Sequence, residues 1–165
     1  MNEAVAIDLA CGGGRDAVFI AKRNWGKVIA VDYLSEQLVK TKQLATYNKV
    51  ESSIELIERD LEKDGLPLDD FANKCHLATV SRYLHRPHFA DLPRLLAPGG
   101  FLVFHTFMKG CENTAVGRPK RPQFLLNPNE LATVFGSENG FKVIRDEIFI
   151  ITDGRPTSFF VAQKQ

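Results

Sequence analysis

Three acids stand at or beside the ends of apolar segments, Asp8, Asp32 and Asp60, and the first is followed closely by Gly12-Gly13-Gly14. Glycines where a chain leaves a strand let a ligand approach the backbone, because no Cβ obstructs it. Asp32 lies 20 positions after Gly12, at the end of the next apolar segment. An acid there can accept hydrogen bonds from both hydroxyls of a ribose. Asp8, just before the glycines, repels a pyrophosphate and suits an ammonium group. Asp60 is placed to meet the amino group of an adenine. The spacing therefore points to a nucleotide-type ligand. Gly12-x-Gly14-x-x-Ala17 also satisfies the loose dinucleotide fingerprint, so a nicotinamide dinucleotide stays open at this point.

Other reactive side chains have ordinary structural readings beside the functional one. His85 and His88 flank Pro87, and His105 ends an apolar segment; each can act as a base near neutral pH. Their spacing does not read as a metal site, and hydrogen-bonded or solvated structural roles compete. Cys111 falls in a glycine- and proline-rich stretch over the expected acceptor pocket, where a soft substrate is one use and an incidental loop cysteine the other. Arg118, Lys120 and Arg121 in that stretch either recognise an anion or form a solvated face.

Elements that place these residues follow from the apolar patterning. Residues 4–10 are an apolar run broken by one acid and stopped by glycines, which predicts a strand buried on both faces. A helix is expected over Arg15 to Arg23, a strand over 27–31, and a helix from a Ser35 cap to about Asn48 with Leu38, Val39 and Leu44 inward. Strands over 53–58, 76–80 and 101–107 follow, with a helix from Pro87 to Leu96 between the last two. Alternating strands and helices predict a doubly wound, mostly parallel sheet. Asn127-Pro128 is read as the cap and first residue of a helix reaching about Phe135. Strands over 141–151 and 157–162, joined by Asp153-Gly154-Arg155-Pro156, predict a closing antiparallel hairpin.

Composition narrows the class. The chain of 165 residues is 44% apolar and 25% charged, which suits one globular domain. A net charge of +1 gives no broad field for a polyanion, so a nucleic-acid partner is not indicated. Three separated cysteines argue against a disulfide scaffold or structural zinc and fit a reducing compartment. Without a long apolar run no membrane span is expected. Met1 to Ala6 lacks the features of a signal peptide, and the cytoplasm is the expected location.

The segments DLACGGGRDA, VIAVDYLSEQL, IERDLE and LLAPGGFLVFHTF, in that order and spacing, resemble the sequential motifs of class I S-adenosylmethionine-dependent methyltransferases. GGGRDA, SRYLHRPHF and GRPKRPQFLLNPNEL are similar to the tellurite-resistance-type members of that class. The resemblance implies a Rossmann-like seven-stranded sheet of order 3-2-1-4-5-7-6, S-adenosyl-L-methionine as cofactor, and residues 1–165 as a single domain without the helices that usually precede the first strand. By position it puts Asp8, Ala10, Cys11, Gly12, Gly14 and Asp16 around the methionine portion. Asp32 and Tyr33 would hold and cover ribose and adenine, and Asp60 and Leu61 the adenine edge. Val80, Ser81 and Arg82 would line the pocket beside the sulfonium. Catalytic candidates are His85, His105 and Tyr83, and no metal ligands are implied. Two departures stand out: Ala10 replaces a commoner glycine, and His105 replaces an acid common before the TF pair.

The expected activity is methyl transfer to an acceptor, a small molecule in the first instance. RNA or protein methylation is the nearest alternative, although Ser81-Arg82-Tyr83-Leu84 lacks the Asn/Asp-Pro-Pro-aromatic motif of amino-group methylases. A non-catalytic or truncated cofactor-binding module and an NAD-binding protein are the others.

Overall fold

A computed structural model describes residues 4–165. Residues 1–3 of the stretch read above as free of a signal peptide lie outside it. No described helix is long and apolar enough to cross a membrane. The elements are β1 (Val5–Leu9), α1 (Arg15–Lys22), β2 (Lys27–Asp32), α2 (Ser35–Tyr47), β3 (Ile54–Glu58), α3 (Leu61–Asp64), α4 (Leu68–Phe71), β4 (Cys75–Ser81), α5 (Leu92–Leu95), β5 (Leu96–Phe107), α6 (Glu130–Val134), β6 (Phe141–Ile150) and β7 (Pro156–Lys164). They build one seven-stranded sheet of order β3-β2-β1-β4-β5-β7-β6, as the motifs implied. Strands β1 to β5 pair in parallel, while β7 runs antiparallel to both β5 and β6.

The strand order reverses beside β1, so the tips of β1 and β4 separate and open a crevice. The two faces of the sheet are filled differently. One face carries the main core, in which Ile7, Leu9, Val80, Leu102, Phe104 and Phe160 interlock with α5 and α6. On the other, Ala17 and Ala21 of α1 meet Ala6 and Ala30 of the sheet. Small residues on both sides let α1 lie close, which draws the Gly12–Gly14 turn over the strand tips.

Three expected elements are corrected. The helix predicted over Pro87 to Leu96 is a 3₁₀ turn at Arg86–Ala90 followed by the separate α5, and β5 already begins at Leu96. Pro93 would sit inside a continuous helix, where it lacks an N–H and its ring meets a carbonyl one turn back. The last helix begins at Glu130 rather than Pro128, because Asn129 takes a left-handed conformation (φ 60°) that an α-helix cannot contain. In α2, Ser35 is inside the helix with Leu34 at the cap position. Its inward stripe is Leu38, Thr41 and Ala45, while Val39 is exposed.

Glu130 is held back for a different job. Its carboxylate accepts from the Asn127 backbone N–H at 2.8 Å and from Arg86 Nη2 at 2.9 Å. Arg86 also donates to the carbonyls of Gln123 and Leu125, so one guanidinium pins the end of the long loop to the β4–β5 connection. Burial-assisted charged hydrogen bonds of this kind are each worth about 1.5–3 kcal/mol. Arg86→Ala is expected to lower stability by about 2 kcal/mol, read from urea unfolding. Faster amide exchange at Leu125 and Leu126 would accompany it, while amides of β1 keep their protection.

Candidate active site crevice

The crevice is built from strand tips. Ala10 at the end of β1 and Arg82 at the end of β4 both have positive φ, 55° and 56°, a conformation costly for any residue with a Cβ. Each turn is held by its neighbour strand: Cys11 N–H donates to Val31 at 2.9 Å, and Arg82 N–H donates to His105 at 2.7 Å. The left-handed turn at Ala10 explains why a glycine is common there in the resembling class.

Asp8 is the floor. Its residue is 1% exposed, and its carboxyl accepts from Ala17 N–H at 3.1 Å and from the Thr79 hydroxyl at 2.9 Å. Burial outweighs those two bonds, with Asp16 and Asp32 adding repulsion, and its pKa is pushed up to about 7. Asp8 lies beneath a cavity of about 670 Å³ whose walls include Ala10, Gly12, Gly13, Ser81 and Arg82.

Asp32 organises the adjoining half. One oxygen accepts from Gly12 N–H at 2.8 Å and the other from Leu34 N–H at 3.0 Å. Each carboxylate oxygen keeps a further lone pair for a ligand. Asp32, Tyr33, Asp60 and Leu61 line a second cavity of about 310 Å³, and Ala10 belongs to both. Asp60 also caps α3, accepting from Glu62 and Lys63 N–H groups at 3.1 and 3.3 Å. Its bond to the Lys63 side chain holds its carboxyl below the usual range. The capping and ligand-facing readings of Asp60 therefore coexist.

Most of the expected binding residues converge here. Asp8, Ala10, Cys11, Gly12, Asp16, Ser81 and Arg82 line the larger cavity; Asp32, Tyr33, Asp60 and Leu61 line the smaller. Two stand apart. Gly14 is buried against α2, where an added Cβ would fall 2.3 Å from Thr41 Cγ2, so it serves helix contact rather than the cavity wall. Val80 packs in the main core and lines neither crevice cavity.

The catalytic candidates separate in the same way. His105 is half-buried on the wall of the larger cavity, and burial followed by the charge of Arg82 holds its pKa below the usual histidine range. Tyr83 lines the smaller cavity, with a buried hydroxyl that finds no partner among the described residues. Burial and nearby Glu62 and Asp60 push that hydroxyl up, so it keeps its proton. His85 belongs to neither cavity and lies 3.8 Å from Glu62. Cys11 is pushed up to about 12 by burial and by Asp8 and Asp32, which makes it a poor nucleophile.

The soft-substrate role for Cys111 does not survive. Its thiol is buried and donates to the Pro156 carbonyl at 3.2 Å. Arg118, Lys120 and Arg121 are at least partly exposed and line neither crevice cavity. Among the described residues no cluster of three or more potential ligands could hold a metal ion. Residues missed from sequence include Thr79, Thr41 and Phe19. Thr41 donates to the Gly12 carbonyl at 2.9 Å from a helix whose stripe looked merely structural.

Comparison with known proteins gives a consistent picture. A family profile described as "Methyltransferase domain" matches residues 6–100, more than half of the chain. An uncharacterized protein of Schizosaccharomyces pombe is 28% identical over 196 positions. The match takes in 99% of this chain and 58% of that protein, so the chain spans less than two thirds of its length. The fold is similar to geranyl diphosphate C-methyltransferase from Streptomyces coelicolor A3(2), solved with Mg2+, geranyl diphosphate and S-adenosyl-L-homocysteine (TM-score 0.75, 12% identity, 99% of this chain and 71% of that one). It is also similar to a SAM dependent methyltransferase from Aquifex aeolicus (TM-score 0.68, 18% identity, 98% and 82% covered). At these identities the likeness is one of fold.

Proposed function

The chain belongs to the methyltransferase-domain family, and we propose that it binds S-adenosyl-L-methionine across the two adjoining cavities and passes its methyl group to a small-molecule acceptor. One observation carries the reading. Asp32 and Asp60 share a cavity that adjoins, at Ala10, a second one floored by Asp8 and the glycine turn. The residues suit the cofactor piece by piece. Asp32 would take the ribose hydroxyls with its remaining lone pairs, and Asp60 the adenine edge. Tyr33, 60% exposed at the rim, would cover the base. An added Cβ on Gly12 would meet nothing within 4 Å, so the turn leaves open space where a ligand would lie against the backbone. Asp8, a buried carboxyl with its pKa raised, is suited to a cationic amino group.

When bound, the cofactor supplies a methyl on a positively charged sulfur that is lost by in-line displacement. The chain contributes alignment, a wall that excludes water, and one neutral base, His105, at the edge of the larger cavity. The net charge of +1, which gives no strong basic field, supports a small acceptor over RNA.

Calorimetry with S-adenosylhomocysteine tests this. We expect binding by the wild type and at least about a tenfold loss in Asp32→Ala, about 1.5 kcal/mol for a charge-assisted pair of bonds. A lower melting temperature should accompany it, since Gly12 and Leu34 lose their acceptor. NADH should neither quench fluorescence nor shift melting. A response to NADH alone would replace this reading with a dinucleotide-binding one.

A further inference from the structure

The open sheet face beside α1 holds a third cavity, of about 550 Å³, which the cofactor does not need. It lies over β4, β5, β7 and the end of β6, with Asp16, Phe19 and Ile20 of α1 along one side. Its volume is that of a small-molecule site. Asp16, Phe19, Ser81 and His105 line both this cavity and the larger crevice cavity, so the two spaces share a wall.

Polarity is distributed unevenly along it. Its apolar wall is formed by Leu77, Val103, Phe149, Ile151 and Phe159. The two threonines there are already engaged, Thr79 with Asp8 and Thr157 with the Phe149 carbonyl. Among the described residues, no protein hydrogen bond engages the side chains of Asp16, Ser81 or His105 at the shared wall. An occupant therefore meets apolar surface along its body and unspent polar groups only at the end nearest the reacting methyl. A charged body would be desolvated without a partner. An anion would also be repelled by Asp16, the one carboxylate lining the cavity.

We propose that this cavity is the acceptor site and takes a neutral, apolar ring compound with a single hydroxyl at its reacting end. The inference rests on the cofactor reading above. His105, tilted against Phe159 with ring centroids 6.4 Å apart, presents its imidazole at the shared wall. Arg82 on the crevice side places a fixed positive charge near His105. That charge favours a developing oxyanion and opposes an ammonium, which selects a hydroxyl over an amine. The acceptor oxygen bonds to the methyl carbon, the carbon–sulfur bond leaves its electron pair on sulfur, and the hydroxyl proton passes to His105.

The test uses 2-naphthol as probe on the protein with and without saturating S-adenosylhomocysteine, with 2-naphthoate as the charged control. We expect 2-naphthol to bind and 2-naphthoate to bind at least about tenfold more weakly. Val103→Asp should weaken 2-naphthol at least about tenfold, and Phe149→Ser, at an exposed position that folding tolerates, about fivefold. In His105→Gln the affinity should hold within about twofold. The pH at which bound naphthol ionises, read from its absorbance, should rise by about one unit. Binding of S-adenosylhomocysteine without 2-naphthol, equal binding by the two cavity variants, or preference for 2-naphthoate each overturns the acceptor assignment and leaves the cofactor reading standing. A dimer that shields the cavity from the probe overturns it too. Failure of S-adenosylhomocysteine itself removes the premise and the inference together.

Discussion

Asp8→Asn should make the protein more stable at pH 8 while all but abolishing cofactor binding. The carboxyl is 1% exposed as a residue and its pKa is pushed from 3.8 up to about 7, chiefly by burial. Between those values the folded state holds a proton that the unfolded state has released. Stability at this position is therefore fully present below about pH 4, falls as pH rises, and levels off above about pH 7. Forcing the buried group to ionise against that displacement costs about 4 kcal/mol. An amide has no such transition. Asn can accept from Ala17 N–H and donate to Thr79 Oγ1, whose own proton can turn to the Ile7 carbonyl 3.4 Å away. Allowing about 2 kcal/mol for imperfect pairing of the amide leaves a gain of about 2 kcal/mol above pH 7. Melting curves at pH 4, 6 and 8 check it: the wild type should be the more stable by about 2 kcal/mol at pH 4, where only the pairing cost of the amide counts, and the order should be reversed at pH 8.

Binding moves the opposite way. The ammonium of S-adenosylhomocysteine favours the ionised carboxylate, so wild-type affinity should rise through pH 7. Below that pH each binding event should release a proton, which calorimetry in two buffers of different ionisation enthalpy detects. Asp8→Asn should lose both the pH dependence and at least about a hundredfold in affinity, about 3 kcal/mol for one charged hydrogen bond left unmade. Unchanged affinity in the variant would remove Asp8 from the site.

Two glycines of one turn should fail in different ways when given a methyl group. At Gly14, φ is 75° and the new Cβ would lie 2.3–2.8 Å from three atoms of Thr41. Thr41 is poorly placed to yield, since its hydroxyl donates to the carbonyls of Gly12 and Gln37. The left-handed conformation costs about 1–2 kcal/mol and the overlap about 1–3 more. Gly14→Ala should therefore destabilise by about 3 kcal/mol, with Thr41→Ala in the same chain recovering part of it. At Gly12, φ is 53° but nothing lies within 4 Å of the added carbon. Gly12→Ala should cost only about 1 kcal/mol of stability. Its methyl group occupies cofactor space, so affinity for S-adenosylhomocysteine should fall at least about tenfold. Urea unfolding and calorimetry on both variants separate the two costs, and equal stability loss at the two positions would refute the division.

Local order along the chain was enough to read much of this. Strand-length apolar runs, the glycine turn and an acid at each tip are short-range features, and they specified the strand order through the motifs they compose. Helix boundaries were less legible. The spacing of Leu38, Val39 and Leu44 is compatible with more than one helical face, and only contact with the sheet selects Leu38, Thr41 and Ala45. Proline at position 93 could have warned of the broken helix before β5.

The amino-acid order by itself determined that Asp8, Asp32 and Asp60 would sit at or beside strand tips, because Asp8 and Asp32 interrupt or end apolar runs that read as buried strands and Asp60 follows the next strand-length segment. Tertiary structure alone decided what those acids do. Asp8 titrates near neutrality because the folded chain buries it, which outweighs the bonds it accepts from Thr79, 71 positions away, and from Ala17 of α1. His105 borders two cavities because β4, β5 and β7 meet beside it. Desolvation and cavity walls are set by residues distant along the chain, and no local pattern encodes them.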